Sequence, residues 1–205
     1  MKIKICGLNP TRDVQTCIDL KVHYLGFVFY NQSPRNVDLK EISVLKKYNP
    51  KTSHYVSVCV NPTNTFIQEN ILKNFEYIQL HGSETSDRVK EIKDMGIKVI
   101  KVIKVKEQKD IALYKNYENI ADLILFDSTS MEKSQSIPKD LLCKLPAGEK
   151  FGLAGAINLE NIQEYSQLGF NFLDLSSGLE RENLKGYKDH LKIKNFINKI
   201  NELKN

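Results

Sequence analysis

Along the chain, short runs with an apolar side chain at every second position give way to stretches where they recur every three to four, and the exchange repeats throughout. The short runs, rich in β-branched and aromatic residues, predict eight strands at Lys2–Cys6, Tyr24–Phe29, 55–60, 77–81, 99–103, 123–127, 151–154 and 172–175. Helices are expected between them. Asn9-Pro10 suits a helix cap and first turn, Asp38 with Glu41 three positions on resembles a capping box, and Gly96 and Gly169 suit helix exits. Ile193, Phe196, Ile197 and Ile200 share one face of a last helix, a stripe that belongs in a core.

Strands that alternate with helices build parallel sheets from βα units. Eight units favour closure, which leaves no sheet edge to protect, so the expected fold is α/β: a single (β/α)8 TIM barrel over 1–205, without a linker. The competing open, Rossmann-like sheet lacks support, because no G-x-G-x-x-G follows the first strand. The chain is short beside the roughly 250 residues typical of such barrels, so the loops at the strands' C-terminal ends must build any site.

Both faces of a barrel strand are normally apolar. Three strands depart from that. Lys4 and Cys6 oppose Ile3 and Ile5, Gln79 and His81 oppose Ile78 and Leu80, and Asp174 and Ser176 oppose Leu173 and Leu175. With the aliphatic sets under the helices, the polar sets point into the barrel and climb toward its C-terminal mouth, where barrel active sites lie.

Composition narrows the ligand. Lys and Arg number 30 against 25 acidic residues, a formal charge of +5 spread as scattered lysine, which predicts a solvated surface with a mild preference for anionic small molecules and no nucleic-acid partner. No apolar run approaches the roughly 18 to 20 residues that cross a bilayer, and MKIKIC enters a strand pattern rather than a signal peptide. No membrane partner and a cytoplasmic location are expected. Cys6, Cys17, Cys59 and Cys143 have no C-x-x-C spacing, so reduced thiols are expected, with neither zinc nor disulfides.

KIKICG at Lys2 to Gly7, GFVFYNQSPR at Gly26 to Arg35, QLHG at Gln79 to Gly82, LFDS at Leu125 to Ser128, LAGA at Leu153 to Ala156 and DLSSGLE at Asp174 to Glu180 follow one another in this order. Together they resemble the successive strand-end motifs of the phosphoribosylanthranilate isomerases of tryptophan biosynthesis, across nearly the whole chain. The resemblance implies a (β/α)8 fold, no cofactor or metal, a phosphorylated small-molecule substrate, and an Amadori rearrangement of an aldose to a ketose. It implies Cys6 as general base and Asp127 as general acid, and Arg35 as reader of the anthranilate carboxylate. Gly155, Ala156, Ser176, Ser177 and Gly178 are implied at the phosphate, and His81 and Asp174 as site-lining residues. A thiol near pKa 8.5 is mostly protonated at neutral pH, so Lys4, on the same strand face, is expected to draw the Cys6 pKa down.

Two departures bear on binding. The loop after strand six reads STSMEKSQSIPKDLL from Ser128 to Leu142, without the glycines and tryptophan usual in the family, and Ala156 stands where a second glycine is common. A left-handed alanine there costs on the order of 1 to 2 kcal/mol. Weaker substrate binding is expected before lost chemistry. The alternatives are another sugar-phosphate isomerase barrel, such as the histidine-pathway isomerase or a dual-substrate relative, or a non-catalytic barrel that binds an anionic metabolite. A monomer or a homodimer fits equally.

Overall fold

The computed structural model describes residues 1–128 and 136–203. Strands β1 (Lys2–Cys6), β2 (Tyr24–Phe29), β3 (His54–Cys59), β4 (Tyr77–Leu80), β5 (Lys98–Val105), β6 (Leu123–Ser128), β7 (Gly148–Leu153) and β8 (Phe170–Leu175) pair in parallel in sequence order, and β8 returns to β1 to close a barrel. Helices α1 (Val14–Asp19), α2 (Asn64–Phe66), α3 (Ser86–Asp94), α4 (Gln108–Ile111), α5 (Lys139–Leu142), α6 (Ile162–Ser166) and α7 (His190–Glu202) occupy the connections. Leu39–Lys47 winds as a 3₁₀ helix after β2.

Every strand expected from the alternation is present, and six have ends displaced by one to three residues. Local signals fared unevenly. α1 begins at Val14, beyond the expected start, because Asn9 caps a separate turn: its Oδ1 accepts from the Thr11 and Arg12 N–H groups at 3.0 and 3.2 Å. Asp38 accepts from Lys40 N, but Glu41 takes a bond from the Asn9 side chain rather than closing the box. Gly96 and Gly169, at φ +91° and +77°, follow α3 and α6. No strand is predicted after residue 175, yet β9 (Glu180–Arg181) and β10 (Leu184–Lys188) form an antiparallel hairpin with an irregular register.

The alternation sorts the apolar residues into two cores. Ile3, Ile5, Ile78, Leu80, Leu173 and Leu175 join the cluster between barrel and helices, which α7 completes with Ile193, Phe196, Ile197 and Ile200. Tyr24, Val56, Tyr77, Ile100, Leu125 and Phe172 fill the barrel itself, with Cys6 among them. At the N-terminal end the Tyr24 ring meets Tyr77 and Phe172 edge-on, at centroid separations of 5.4 and 5.5 Å, so an aromatic floor closes that end.

Candidate active site

Above the floor the interior turns polar. Lys4, fully buried, donates to Asp174 Oδ2 at 2.8 Å across the β1–β8 ladder. Among the described residues Asp174 Oδ1 and Gln79 Oε1 are buried acceptors without a hydrogen-bond partner. One rung higher stand Cys6 at the end of β1, His81 just past β4 and Asp127 at the next-to-last position of β6. Leu123 and Leu125, which share Asp127's strand face, pack with Cys6 inside the barrel. The thiol and the carboxyl therefore lie on the inner side of the strand wall and at one rim.

The electrostatics of this rim are uneven. Burial, then the neighbouring Asp174 charge, pushes the Asp127 carboxyl up to about 7, against a 2.8 Å bond from Ser128 N–H and the pull of Lys4 and Lys104. Burial and the ammonium groups of Lys104, Lys4 and Lys101 drive His81 down to about 4, so the ring is neutral at pH 7. Its Nε2 stands 3.7 Å from Asp127 Oδ2, too far for a hydrogen bond.

The expectation for Cys6 needs correcting. Lys4 does pull its pKa down, but burial outweighs it and Asp174 opposes it, so the resting thiol sits above its ordinary value. Gly26 on β2 makes the pairing possible. A Cβ there would lie 3.1 Å from Lys4 Nζ and 3.3 Å from Cys6 Sγ, so the two groups share the space a side chain would fill.

His81 is held from outside the barrel. Lys101 Nζ donates to Glu84 Oε2 at 2.7 Å and to the Gly82 carbonyl at 2.9 Å, while Glu84 Oε1 accepts from Asn61 N and Gly82 N. His81 N–H itself donates to Cys59 O at 2.9 Å. The loop that carries the ring is thus pinned on both sides.

At the ends of β7 and β8, Gly155 and Ala156 both have positive φ, +105° and +50°. Ala156 adopts the left-handed conformation, and Asn161 Nδ2 donates to its carbonyl at 2.9 Å. A Cβ on Gly178 would lie 2.6 Å from Ile157 O, so the two loops touch. Ser176 Oγ donates to the Cys6 carbonyl at 3.2 Å, and Ser177–Leu179 forms a 3₁₀ turn. The implied phosphate residues therefore meet in one corner. Of the unusual stretch after β6, residues 129–135 lie outside the described residues, and its last four residues form α5.

Arg35 is not an open fork. Its Nε and Nη2 donate to Glu180 Oε1 and Oε2 at 2.6 and 3.0 Å. Lys188 grips the same carboxylate, with Nζ 3.3 Å from Glu180 Oε1. Glu180 and Lys188 had no assigned role from sequence, nor had Glu84 and Lys101. Glu180 ends the DLSSGLE motif, which is a signal; Lys188 is one lysine among many and carries none. Among the described residues no group of three or more His, Cys, Asp or Glu side chains is arranged to hold a metal ion.

A sequence model of the family described as N-(5′-phosphoribosyl)anthranilate (PRA) isomerase matches residues 3–199. The chain belongs to this isomerase family. The N-(5′-phosphoribosyl)anthranilate isomerase of Staphylococcus aureus (strain Mu3) is 33% identical over 206 residues, covering 97% of this chain and 96% of its own. That of Zymomonas mobilis is 28% identical over 212 residues, with 98% of each chain covered. Among solved family members, the Thermotoga maritima isomerase superposes with a TM-score of 0.85 at 25% identity, covering 98% of this chain and 99% of its own. A phosphoribosylanthranilate isomerase solved in complex with reduced 1-(o-carboxyphenylamino)-1-deoxyribulose 5-phosphate superposes at 0.81 with 26% identity, covering 98% and 99%.

Proposed function

We propose that this barrel converts N-(5′-phosphoribosyl)anthranilate to 1-(2-carboxyphenylamino)-1-deoxyribulose 5-phosphate, with Asp127 as general acid and Cys6 as general base. The reaction opens a furanose, removes the C2′ proton of the resulting imine, and ends as a ketose. Opening needs a proton on the ring oxygen. The observation that carries this reading is a carboxyl raised to about 7 at the same rim as an inward-facing thiol, since it keeps a proton to give at neutral pH. Once the ring opens, the imine nitrogen is cationic, which acidifies C2′–H and stabilises the thiolate that receives it. The proton taken by sulfur then returns to C1′ as the enol-amine becomes the ketone, and the proton that leaves the C2′ hydroxyl restores the Asp127 carboxyl, so acid and base balance over a turnover.

The supporting groups divide by charge. The paired positive-φ residues Gly155 and Ala156 and the turn at Ser176, Ser177 and Gly178 offer backbone N–H groups to the phosphate. Arg35 takes the anthranilate carboxylate. Neutral His81 and the Lys4–Asp174 pair line the cavity between them. Residues 1–205 act as one domain, as a monomer or a homodimer, in the cytoplasm. Among the described residues no helix is long and apolar enough to cross a membrane.

The test is turnover. Anthranilate fluorescence falls as substrate is consumed, and Cys6→Ala and Asp127→Asn should each lower kcat by about 10² to 10⁴-fold. Full activity in either variant removes that residue from its role. Binding of the substrate with no conversion by the wild type favours the non-catalytic alternative.

A further inference from the structure

Arg35 has five N–H groups in one plane, and Glu180 occupies only the side edge, through Nε and one hydrogen of Nη2. Among the described residues Nη1 donates to nothing, so the end edge, Nη1 with the second Nη2 hydrogen, is a complete second fork. We propose that Glu180 is a positioning residue that presents this end edge to the substrate carboxylate, with Lys188 as its anchor. The inference rests on the isomerase reading above and deepens it, by naming what sets the direction of carboxylate recognition.

Three observations beyond the pair support it. The Arg35 stem is confined: its Cδ lies where a Cβ on Gly7 would be, and a Cβ on Gly186 would lie 2.5 Å from Pro34 O. The hairpin therefore packs directly on the Pro34–Arg35 backbone. Lys188, with a side chain of 0% exposure, donates to Ser176 O at 3.0 Å as well as to Glu180, which ties the fork to the loop after β8. Charge completes the case. Two cations around one carboxylate leave a net positive charge facing the cavity, and a guanidinium fixed before binding loses little freedom when an anion arrives.

A residue that aims one hydrogen-bonding edge should matter only to ligands that use that edge. Glu180→Gln keeps the shape and removes the charge. Calorimetric titration with reduced 1-(o-carboxyphenylamino)-1-deoxyribulose 5-phosphate should show Kd raised about tenfold in this variant. The analogue without the ring carboxyl should change less than about twofold, since only the carboxylate contact is altered. In an Arg35→Met background Glu180→Gln should add nothing. KM for substrate should rise with kcat nearly unchanged. If Glu180→Gln does not fold, Glu180→Asp, which keeps the charge and shortens the reach, is expected to show the same ligand-selective loss.

Equal weakening of both ligands, or of neither, overturns the positioning role while wild-type turnover stands. An additive effect in the Arg35→Met background overturns it as well. Wild-type protein that neither binds the carboxylated ligand nor turns over substrate overturns the isomerase reading, and this inference with it.

Discussion

At the scale of single residues, the proposed base rests in the protonation state opposite to the one the chemistry needs, while the proposed acid is only partly in its working form. Cys6 rests as a thiol above its ordinary pKa, and Asp127 titrates at about 7, so the competent form, thiolate beside carboxylic acid, is a minor species of the free enzyme. The pH dependence follows. As pH rises toward about 7, the thiolate fraction grows while Asp127 stays protonated. Beyond it, thiolate gained is cancelled by acid lost. The expected kcat/KM therefore climbs up to about 7, levels, and falls only above the thiol pKa. A profile measured from pH 5.5 to 10 that begins to fall near 7 would contradict the pairing. Cys6 was legible because strand alternation set it with Lys4 on a face that should be apolar, whereas Asp127 was legible only through the resemblance of its LFDS motif to a family strand end. The sign of the Cys6 shift was not, since it depends on burial, which no spacing of residues reveals.

At the scale of elements, two small devices hold the rim in shape, and neither is written in a periodicity. The β9–β10 hairpin turns at Glu182-Asn183, with Asn183 at φ +60°, and lacks the glycine that usually marks such a turn. Its short strands and shifted register erase the alternation that made β1 to β8 readable. The other device is the Lys101–Glu84 clasp behind His81, with side chains 3% and 0% exposed. Lys101 shares the helix-facing side of β5 with Val99 and Ile103, where sequence patterning expects an aliphatic residue. Breaking such a pair from one side strands a buried charge. Lys101→Met should cost on the order of 3 to 5 kcal/mol in chemical denaturation, and Lys101→Met with Glu84→Gln should recover part of it. Equal midpoints for Lys101→Met and wild type would show the clasp to be inert.

At the scale of the whole molecule, the shifted groups of the proposed site set how stability responds to pH. The unfolded carboxyl of Asp127 releases its proton near 3.8 and the folded one near 7, so the folded state binds more protons in that window and stability falls as pH rises through it. His81 acts in the other direction. Its folded pKa of about 4 lies below the ordinary 6.5, so the unfolded chain binds the extra proton and stability falls as pH drops from 6.5 to 4. The two slopes oppose each other over most of this range. Asp127→Asn removes one of them: thermal unfolding should find the variant more stable than wild type at pH 8, by on the order of 2 kcal/mol after allowing for screening at the half-open rim, with little difference near pH 4. An unchanged midpoint at pH 8 would mean the carboxyl is not strained. Eightfold closure was the most legible property of all, since each of the eight period-two runs became a strand of one barrel.

That closure, together with the Tyr24, Tyr77 and Phe172 rings across its N-terminal end, makes the barrel a cup rather than a tube. Whatever enters must leave by the way it came. Reactant and product therefore queue at a single door, and accumulating product obstructs the next arrival simply by standing in it.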